Sequence, residues 1–249
     1  MMTMMTTISR IEPLVFSGCT LQGPLHARRG VPNQDAFLCR TFKNGGVAAV
    51  ADGLGSQCQS HIGAQAACAC VAEAVKLWSR FRSCGRDQLI PLICSLWDIR
   101  TYPLEAEQCG STCLFAAALR PDRLVLGQVG DGLILYDVNG ETGVLCGKED
   151  EFLNLTTPVY AARDPRKWSY REFDLTEDGF TVCLMTDGIS SALVDGMEGA
   201  FLQTLAEDLR GRKTNSRRNR ALRQMLEAWD KPTVDDKTIV VMEGGGPHG

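Results

Sequence analysis

The chain has 249 residues, of which 44% are hydrophobic and 22% are charged, and its formal net charge is −4. A chain of this length forms one large domain or two small ones, and its composition is that of an ordinary globular protein. The small negative charge gives no reason to expect nucleic acid as a partner. No apolar run approaches the ~18 residues that a membrane-spanning helix needs, and residues 1–10 lack the pattern of a secretory signal. We therefore expect a cytoplasmic protein that binds neither nucleic acid nor membrane.

The eleven cysteines are scattered along the chain. Cys68 with Cys70 and Cys109 with Cys113 lack the spacing of zinc ligands, and only three histidines could assist them. Most cysteines lie in apolar segments, where a thiol behaves as a small hydrophobic group. We predict reduced cysteines in the core; a disulfide framework or a structural zinc is the alternative.

The first half of the chain has the pattern of strands followed by two helices. Its central feature is the apolar run 47–51, which nothing polar interrupts before Asp52, as in a buried strand. Over 60–82 apolar residues recur at helical spacing, with Ser60 as the expected N-cap. Around these we predict strands at 12–22 and 35–42, a turn at Asn44-Gly45-Gly46, and a second helix that begins near Asp87 and holds Pro91 in its first turn.

The second half returns to strands and ends with two helices and a strand. Strands are predicted at 111–119, 123–129, 133–138, 168–175, 180–186 and 237–242, and helices at about 190–209 and 217–229. Residues 146–166 show little periodicity and are predicted to form a loop or mobile flap. The N-terminal residues and the glycine-rich tail after Glu243 are predicted to be disordered.

This order of elements indicates the fold class. Blocks of strands with helices grouped in pairs favour antiparallel sheets over alternating βαβ units. We predict an α+β fold, a four-layer αββα sandwich of two antiparallel β-sheets flanked by pairs of antiparallel helices, because that arrangement buries every apolar face. No repeat or linker divides the sequence, so we predict one domain over 1–249, with a core of about 12–243.

Aspartates recur where a predicted strand adjoins a turn. Each one alone is explained by an ordinary turn. Together they would place like charges at one rim of a sheet, where they repel unless a cation neutralises them. The acids are Asp35, Asp52, Asp131, Asp187 and the pair Asp235-Asp236.

Carboxylates without histidine or cysteine beside them select hard cations such as Mg²⁺ or Mn²⁺. Two such ions about 3.5–4 Å apart can deprotonate a bridging water for in-line attack on phosphorus. Unrelated turns are the alternative, and a calcium-binding loop is less favoured because the acids are spread over the whole chain.

Basic residues supply a complement for phosphate. Arg28 and Arg29 precede Asp35, and the planar fork of arginine matches two phosphate oxygens; a solvated surface pair is the alternative. Gly110-Ser111-Thr112 is explained as a helix-to-strand joint and is assigned no chemistry. The basic run 210–223 is predicted to be a solvated loop and helix start, with docking of an acidic partner as the alternative.

Taken in order, these segments resemble the metal-dependent protein phosphatases of type 2C, most closely their compact bacterial branch, over roughly 17–242. Residues 26–36 are similar to the opening motif, which ends in Gln-Asp-Ala. Residues 50–55 are similar to the Asp-Gly-Met-Gly segment, with Leu54 in place of methionine. The other matching segments are Gly110-Ser111-Thr112, Val129-Gly130-Asp131-Gly132, Thr186-Asp187-Gly188 and Asp235-Asp236-Lys237-Thr238.

The resemblance implies a β-sandwich flanked by helix pairs, with a two-metal centre for Mn²⁺ or Mg²⁺ at one end. Asp52 would bridge both ions, and the carbonyl of Gly53 would touch one of them. Asp187 and Asp235 would bind the other ion, and Asp35 would hold waters near the pair.

Further positions follow from the same resemblance. Asp131 would share a weaker third metal site with Asp187, and Asp236 would lie just outside the metal ligands. Eukaryotic relatives carry a histidine where this chain has Leu54. Protonation of the leaving group would therefore fall to a metal-bound water or to His26.

The phosphate-binding arginine of many relatives matches Gly30, so Arg29 is predicted to bind phosphate, with Arg28 as the alternative. Arg29, Asp35 and Asp52 are the predicted catalytic residues of a serine/threonine phosphoprotein phosphatase that uses a metal-bridging hydroxide. Its substrates would be phosphorylated proteins, including targets of a serine/threonine kinase, and we expect a monomer. A catalytically weak or inactive member that acts as a phosphoprotein- or kinase-binding regulatory module is the alternative, and a small-molecule phosphohydrolase is a third reading.

Overall fold

The computed structural model describes residues 14–81, 85–119, 122–147, 156–229 and 233–245. Within these ranges the backbone forms two five-stranded sheets in which every neighbouring pair is antiparallel. The first sheet has the order β1 (Val15–Leu21), β10 (Lys237–Gly244), β9 (Phe180–Met185), β6 (Leu133–Val138) and β7 (Glu141–Cys146). The second has the order β2 (Ala36–Phe42), β3 (Gly45–Ala51), β4 (Cys113–Leu119), β5 (Arg123–Val129) and β8 (Ser169–Asp174).

Helices cover the outer faces of both sheets. The long helices α2 and α3 pack on the second sheet, and α5 and α6 pack on the first. The α-helices are α1 (Pro24–Arg29), α2 (Ser60–Trp78), α3 (Arg86–Thr101), α4 (Asp187–Ser190), α5 (Glu198–Arg210) and α6 (Asn215–Ala228), and short 3-10 helices lie at Ala106–Gln108, Val159–Ala161 and Pro165–Lys167. The predicted four-layer αββα sandwich is confirmed.

Strand β3 shows why an uninterrupted apolar run lies at the centre of this fold. Val47 and Ala49 pack in the core beneath α2 and α3, whereas Ala48 and Val50 pack in the core between the two sheets. Successive side chains of a strand point to opposite faces. Because both faces of β3 are covered, a polar residue has no place before the strand ends at Ala51, and Asp52 follows directly.

Helix α1 and strand β7 are among the elements that the sequence pattern misses. Helix α1 has six residues, begins at Pro24 and is followed by Gly30 in the left-handed region with φ 65°. It is too short to show a helical period. Strand β7 lies at a sheet edge with most of its side chains exposed, so it lacks the alternation of apolar residues that marks a half-buried strand.

Two predicted boundaries are wrong. The single helix predicted at 190–209 is divided into α4 and α5 by a turn that contains Gly196 at φ 81°. Ser60 is not the N-cap of α2: Gln59 occupies that position, and Ser60 is the first helical residue. The predicted disorder after Glu243 is wrong at Gly244, which is the last residue of β10. Residues 148–155 of the predicted flap lie outside the described residues, as do 1–13 and 246–249, on which the rest of the predicted disorder falls.

The described cysteines are all free, and most of them are buried, as expected for core thiols. None of the helices in the described ranges combines the length and apolar character that a membrane crossing requires. The assignment of the whole chain to one domain stays a prediction.

Candidate metal centre

Antiparallel pairing brings the predicted acids to one end of the sandwich. The start of β2 pairs with the end of β3, so Asp35 and Asp52 lie at the same sheet edge. The end of β9 pairs with the starts of β6 and β10, which brings Asp187 to the edge where Asp131 and Asp235 precede their strands. The topology therefore gathers side chains that are separated by up to 200 positions in the chain.

At this edge Asp35 is buried, Asp52 and Asp187 are partly buried, and Asp131 and Asp235 are exposed, and the charges of these carboxyl groups act on one another. Burial raises the pKa of Asp52 well above its ordinary value, and the charges of Asp35, Asp187 and Asp131 raise this pKa further. Burial also raises the pKa of Asp187, to which the charges of Asp131 and Asp235 add. Since desolvation and like charges both disfavour the ionised form, this edge favours binding of a positive charge.

Asp35 is held by side chains from two other segments and by its near neighbour Asn33. Burial raises its pKa to about 7, although hydrogen bonds from Thr238 and Thr186 oppose the rise. The hydroxyl of Thr186 donates to Oδ2 of Asp35 at 2.8 Å, and the backbone N–H of Asp35 donates to Oδ1 of Asn33 at 2.9 Å. Thr238 donates its backbone N–H to the Thr186 hydroxyl at 3.0 Å, which fixes the rotamer of that threonine.

The loop after β3 is fixed by the joint that precedes β4. Asp52 donates its N–H to Oγ1 of Thr112 at 2.9 Å, and Thr112 donates its N–H to the Asp52 carbonyl at 2.8 Å. The N–H of Leu54 donates to the Gly110 carbonyl at 3.0 Å. A Cβ on Gly53 would lie 2.7 Å from the backbone at the start of α2, so only glycine fits there. The Gly110-Ser111-Thr112 segment, to which the sequence assigns no chemistry, positions Asp52.

Asp131 lies in a turn whose geometry requires the flanking glycines. Gly130 has φ 86° and Gly132 has φ 93°, values that residues with a Cβ rarely adopt. The hydroxyl of Thr156 donates to Oδ2 of Asp131 at 2.6 Å. Gln128 donates its side-chain amide to the Gly132 carbonyl at 2.9 Å. The buried Gln128 is a support for this turn that sequence reasoning missed.

Arg28 and Arg29 lie at the C-terminal end of α1, and both side chains are exposed. Neither guanidinium group has a hydrogen bond or an ion pair to another residue in the described ranges. Both are therefore free to bind an anion. Phosphate binding by Arg29, with Arg28 as the alternative, stays a prediction.

The donor set fits a divalent cation. Asp35 and Asp187 each keep an Oδ1 atom that is buried and has no hydrogen-bond partner among the described residues. A buried oxygen without a partner is costly, and a hard cation satisfies it. The spacing is nevertheless uneven. In the described ranges, His26, Asp235 and Asp236 have ligand atoms that all lie within 4.8 Å of one another. The ligand atoms of the predicted set, Asp52, Asp187 and Asp235, lie farther apart than that.

A two-sheet sandwich with an acid-lined end of this kind defines a candidate centre for hard divalent cations. The family model for protein phosphatase 2C matches residues 22–227, so the chain belongs to the protein phosphatase 2C family. Membership of this family supports metal-dependent phosphatase activity. No curated protein sequence matches the chain.

Solved structures share the fold at low sequence identity. The structure of a C. elegans sex determining protein is similar with a TM-score of 0.70 and 18% identity, over 92% of this chain and 64% of that one. The catalytic domain of the serine threonine protein phosphatase PstP, in complex with two manganese ions, gives a TM-score of 0.58 and 17% identity, over 93% and 98% of the two chains. RsbX in complex with magnesium gives a TM-score of 0.56 and 16% identity, over 95% of this chain and 99% of that one. At these identities the likeness shows the fold alone.

Proposed function

We propose that this protein is a Mn²⁺- or Mg²⁺-dependent serine/threonine phosphoprotein phosphatase. The observation that carries the proposal is the convergence of Asp35, Asp52, Asp131 and Asp187 at one edge, where burial and mutual repulsion raise the pKa of Asp52. At the same edge, one buried oxygen each of Asp35 and Asp187 has no hydrogen-bond partner in the described part of the chain. A binding surface without metal would gain nothing from buried carboxylates that repel one another. A centre for divalent cations requires them.

The chain offers a ligand for each predicted role. Asp52 and the Gly53 carbonyl would hold one ion, and Asp52, Asp187 and Asp235 would hold the second. Asp35 would orient water through its free oxygen. When bound, the two ions would supply a deprotonated water for attack on phosphorus and would stabilise the charge on the phosphoryl oxygens. Asp131, whose charge raises the pKa of Asp187, would share a third, weaker site with it.

The arginines of α1 complete the proposed site. Arg29, or Arg28 in its place, would orient the phosphoryl group through paired N–H donors. Neither arginine is tied to a carboxylate in the described ranges, so neither must break an ion pair to bind phosphate.

Proteins are the proposed substrates because the family is described as a protein phosphatase family and because one structural relative, PstP, is a serine threonine protein phosphatase. We place the protein in the cytoplasm as a monomer that acts on targets of a serine/threonine kinase. Free thiols throughout the described chain support a reducing compartment.

Hydrolysis of a phosphothreonine peptide with and without Mn²⁺ tests the proposal. Wild type is expected to require the metal. Asp52→Asn should lower kcat/KM by more than the roughly 10–100-fold that loss of an outer partner of a metal ligand costs. Asp137→Asn is the matched control, because Asp137 lies on β6 toward the opposite end of the same sandwich.

The outcomes separate the three readings. Faster hydrolysis of sugar or nucleotide phosphates than of the phosphopeptide would assign the chain to small-molecule substrates. Folded wild-type protein that neither binds Mn²⁺ nor hydrolyses any phosphomonoester would contradict an enzyme and favour a regulatory binding module.

A further inference from the structure

The carboxylate of Asp236 collects three hydrogen bonds from one separate segment of the chain. Gly23 donates its backbone N–H to Oδ1 at 2.6 Å, and Gln34 donates its backbone N–H to Oδ2 at 2.6 Å. Nδ1 of His26 lies 2.9 Å from Oδ2. Asp236 is 2% exposed, so water does not compete for these positions. Three donors to a buried carboxylate fix both its position and its orientation.

The three donors all lie in 23–34, the segment that carries α1 and leads to Asp35. The same segment is docked on the backbone just before Asp236: Leu25 donates its N–H to the Val234 carbonyl at 3.3 Å, and a Cβ on Gly23 would lie 2.4 Å from Asp235. One side chain therefore ties the segment with the candidate phosphate arginines to the start of β10.

The connection continues to the loop after β3. The Gln34 carbonyl accepts the N–H of Gly53 at 3.1 Å, while the Gln34 N–H donates to Asp236. A chain of hydrogen bonds thus runs from Gly53 through Gln34 to Asp236, which adjoins Asp235. Three segments that each bring a predicted metal ligand meet at this connection.

The group of His26, Asp235 and Asp236 has the spacing of a metal site, but its hydrogen bonds give it another role. Both oxygens of Asp236 face N–H donors, and a carboxylate acceptor requires that Nδ1 of His26 carry the proton. A cation at this point would meet the positive ends of those N–H dipoles. The hydrogen bonds of Asp236 instead join the segment 23–34 to the start of β10.

We infer that Asp236 is a positioning residue that sets the spacing of the metal-binding segments, with His26 as its side-chain donor. The inference rests on the proposed function, because it assigns Asp236 an effect on metal affinity. An asparagine at 236 would present one acceptor and one donor to three donors, so at least one buried N–H would face an NH₂ group. The segments would then separate, and the metal ligands with them.

Calorimetric titration of Mn²⁺ alone into chelator-treated protein tests the inference. Asp236→Asn should weaken Mn²⁺ binding about 10–100-fold, the usual effect of losing an outer partner of a metal ligand. Glu243→Gln is the matched control: Glu243 is a buried acid near the far end of β10, the strand that Asp236 directly precedes, and it pairs with Arg210 and Arg218. Its loss should leave Mn²⁺ affinity unchanged.

Two substitutions of His26 keep the test decisive if Asp236→Asn does not fold. The amide of His26→Asn can donate to Asp236 from about the position of Nδ1 and should keep near wild-type Mn²⁺ affinity. His26→Leu removes the donor and should weaken binding. Excess Mn²⁺ should restore the activity of Asp236→Asn, because its defect lies in metal affinity.

The failures are distinguishable. A wild type that does not bind Mn²⁺ overturns the proposed function and this inference with it. A wild type that binds Mn²⁺, with equal affinity in Asp236→Asn and His26→Leu, overturns the inference alone. Equal losses in His26→Asn and His26→Leu would refute the role of His26 as donor.

Discussion

Removal of metal should make the stability of this protein fall as the pH rises. Burial raises the pKa of Asp35 to about 7 from an ordinary value of 3.8. The folded state therefore holds a proton on Asp35 that the unfolded state releases near pH 4. The protonated Asp35 therefore contributes most to the free energy of unfolding below pH 4, and this contribution is lost as the pH rises to 7. At about 1.4 kcal/mol per pH unit, the total loss is about 4 kcal/mol.

Urea unfolding of chelator-treated protein between pH 5 and pH 8 measures this effect. About 2 to 3 kcal/mol of the loss should fall in that range, because the interval from pH 5 to pH 7 lies below the folded pKa. Asp52 and Asp187, whose pKa values are also raised by burial, should change stability in the same direction. The Asp35→Asn variant, which cannot titrate at this position, should show a weaker pH dependence.

Mn²⁺ should oppose the loss at high pH, since a bound cation replaces the proton and binds the ionised carboxylates best. Metal-free stability that stays constant or rises from pH 5 to pH 8 would refute the reasoning. So would an Asp35→Asn variant with the wild-type pH dependence.

Two further substitutions test the packing that positions the site. Thr112→Val removes the acceptor for the N–H of Asp52 and should cost about 1–3 kcal/mol in urea unfolding; an unchanged midpoint would contradict the assigned contact. Gly63→Ala would put a Cβ 1.6 Å from the Cys109 carbonyl oxygen and should cost at least about 1–3 kcal/mol. Gly199→Ala, in open space on α5, is the control and should not destabilise the protein.

The sequence predicts the strands and long helices well because their apolar periods reflect burial directly. The run 47–51 is buried on both faces, and the helix at 60–82 has a broad apolar face, so both patterns survive without tertiary information. Edge strand β7 and the short helix α1 give no such signal, because neither buries a regular apolar face. Strand β7 depends on pairing with β6, and α1 is held by a hydrogen bond to the segment before β10.

The acids of the candidate centre could be found from sequence because each is an aspartate next to a strand end. The residues that hold these acids in place could not be found in this way. Thr112 and Thr186 act through hydroxyl groups on partners far away in the chain, and Gln128 acts through its amide on the turn that follows it. Ordinary polar residues in strands and turns look the same in the sequence. Asp236 was placed beside the metal ligands by resemblance, but its three donors are visible only in the structure.

Anomalous diffraction from crystals grown with Mn²⁺ tests the central claim most directly, because it locates the ions without reference to activity. We expect two Mn²⁺ ions at the acid-lined end, in contact with Asp52, the Gly53 carbonyl, Asp187 and Asp235. A crystal with no Mn²⁺ at this end, or with a single ion bound by His26 and Asp236, would contradict a two-metal centre built from these residues.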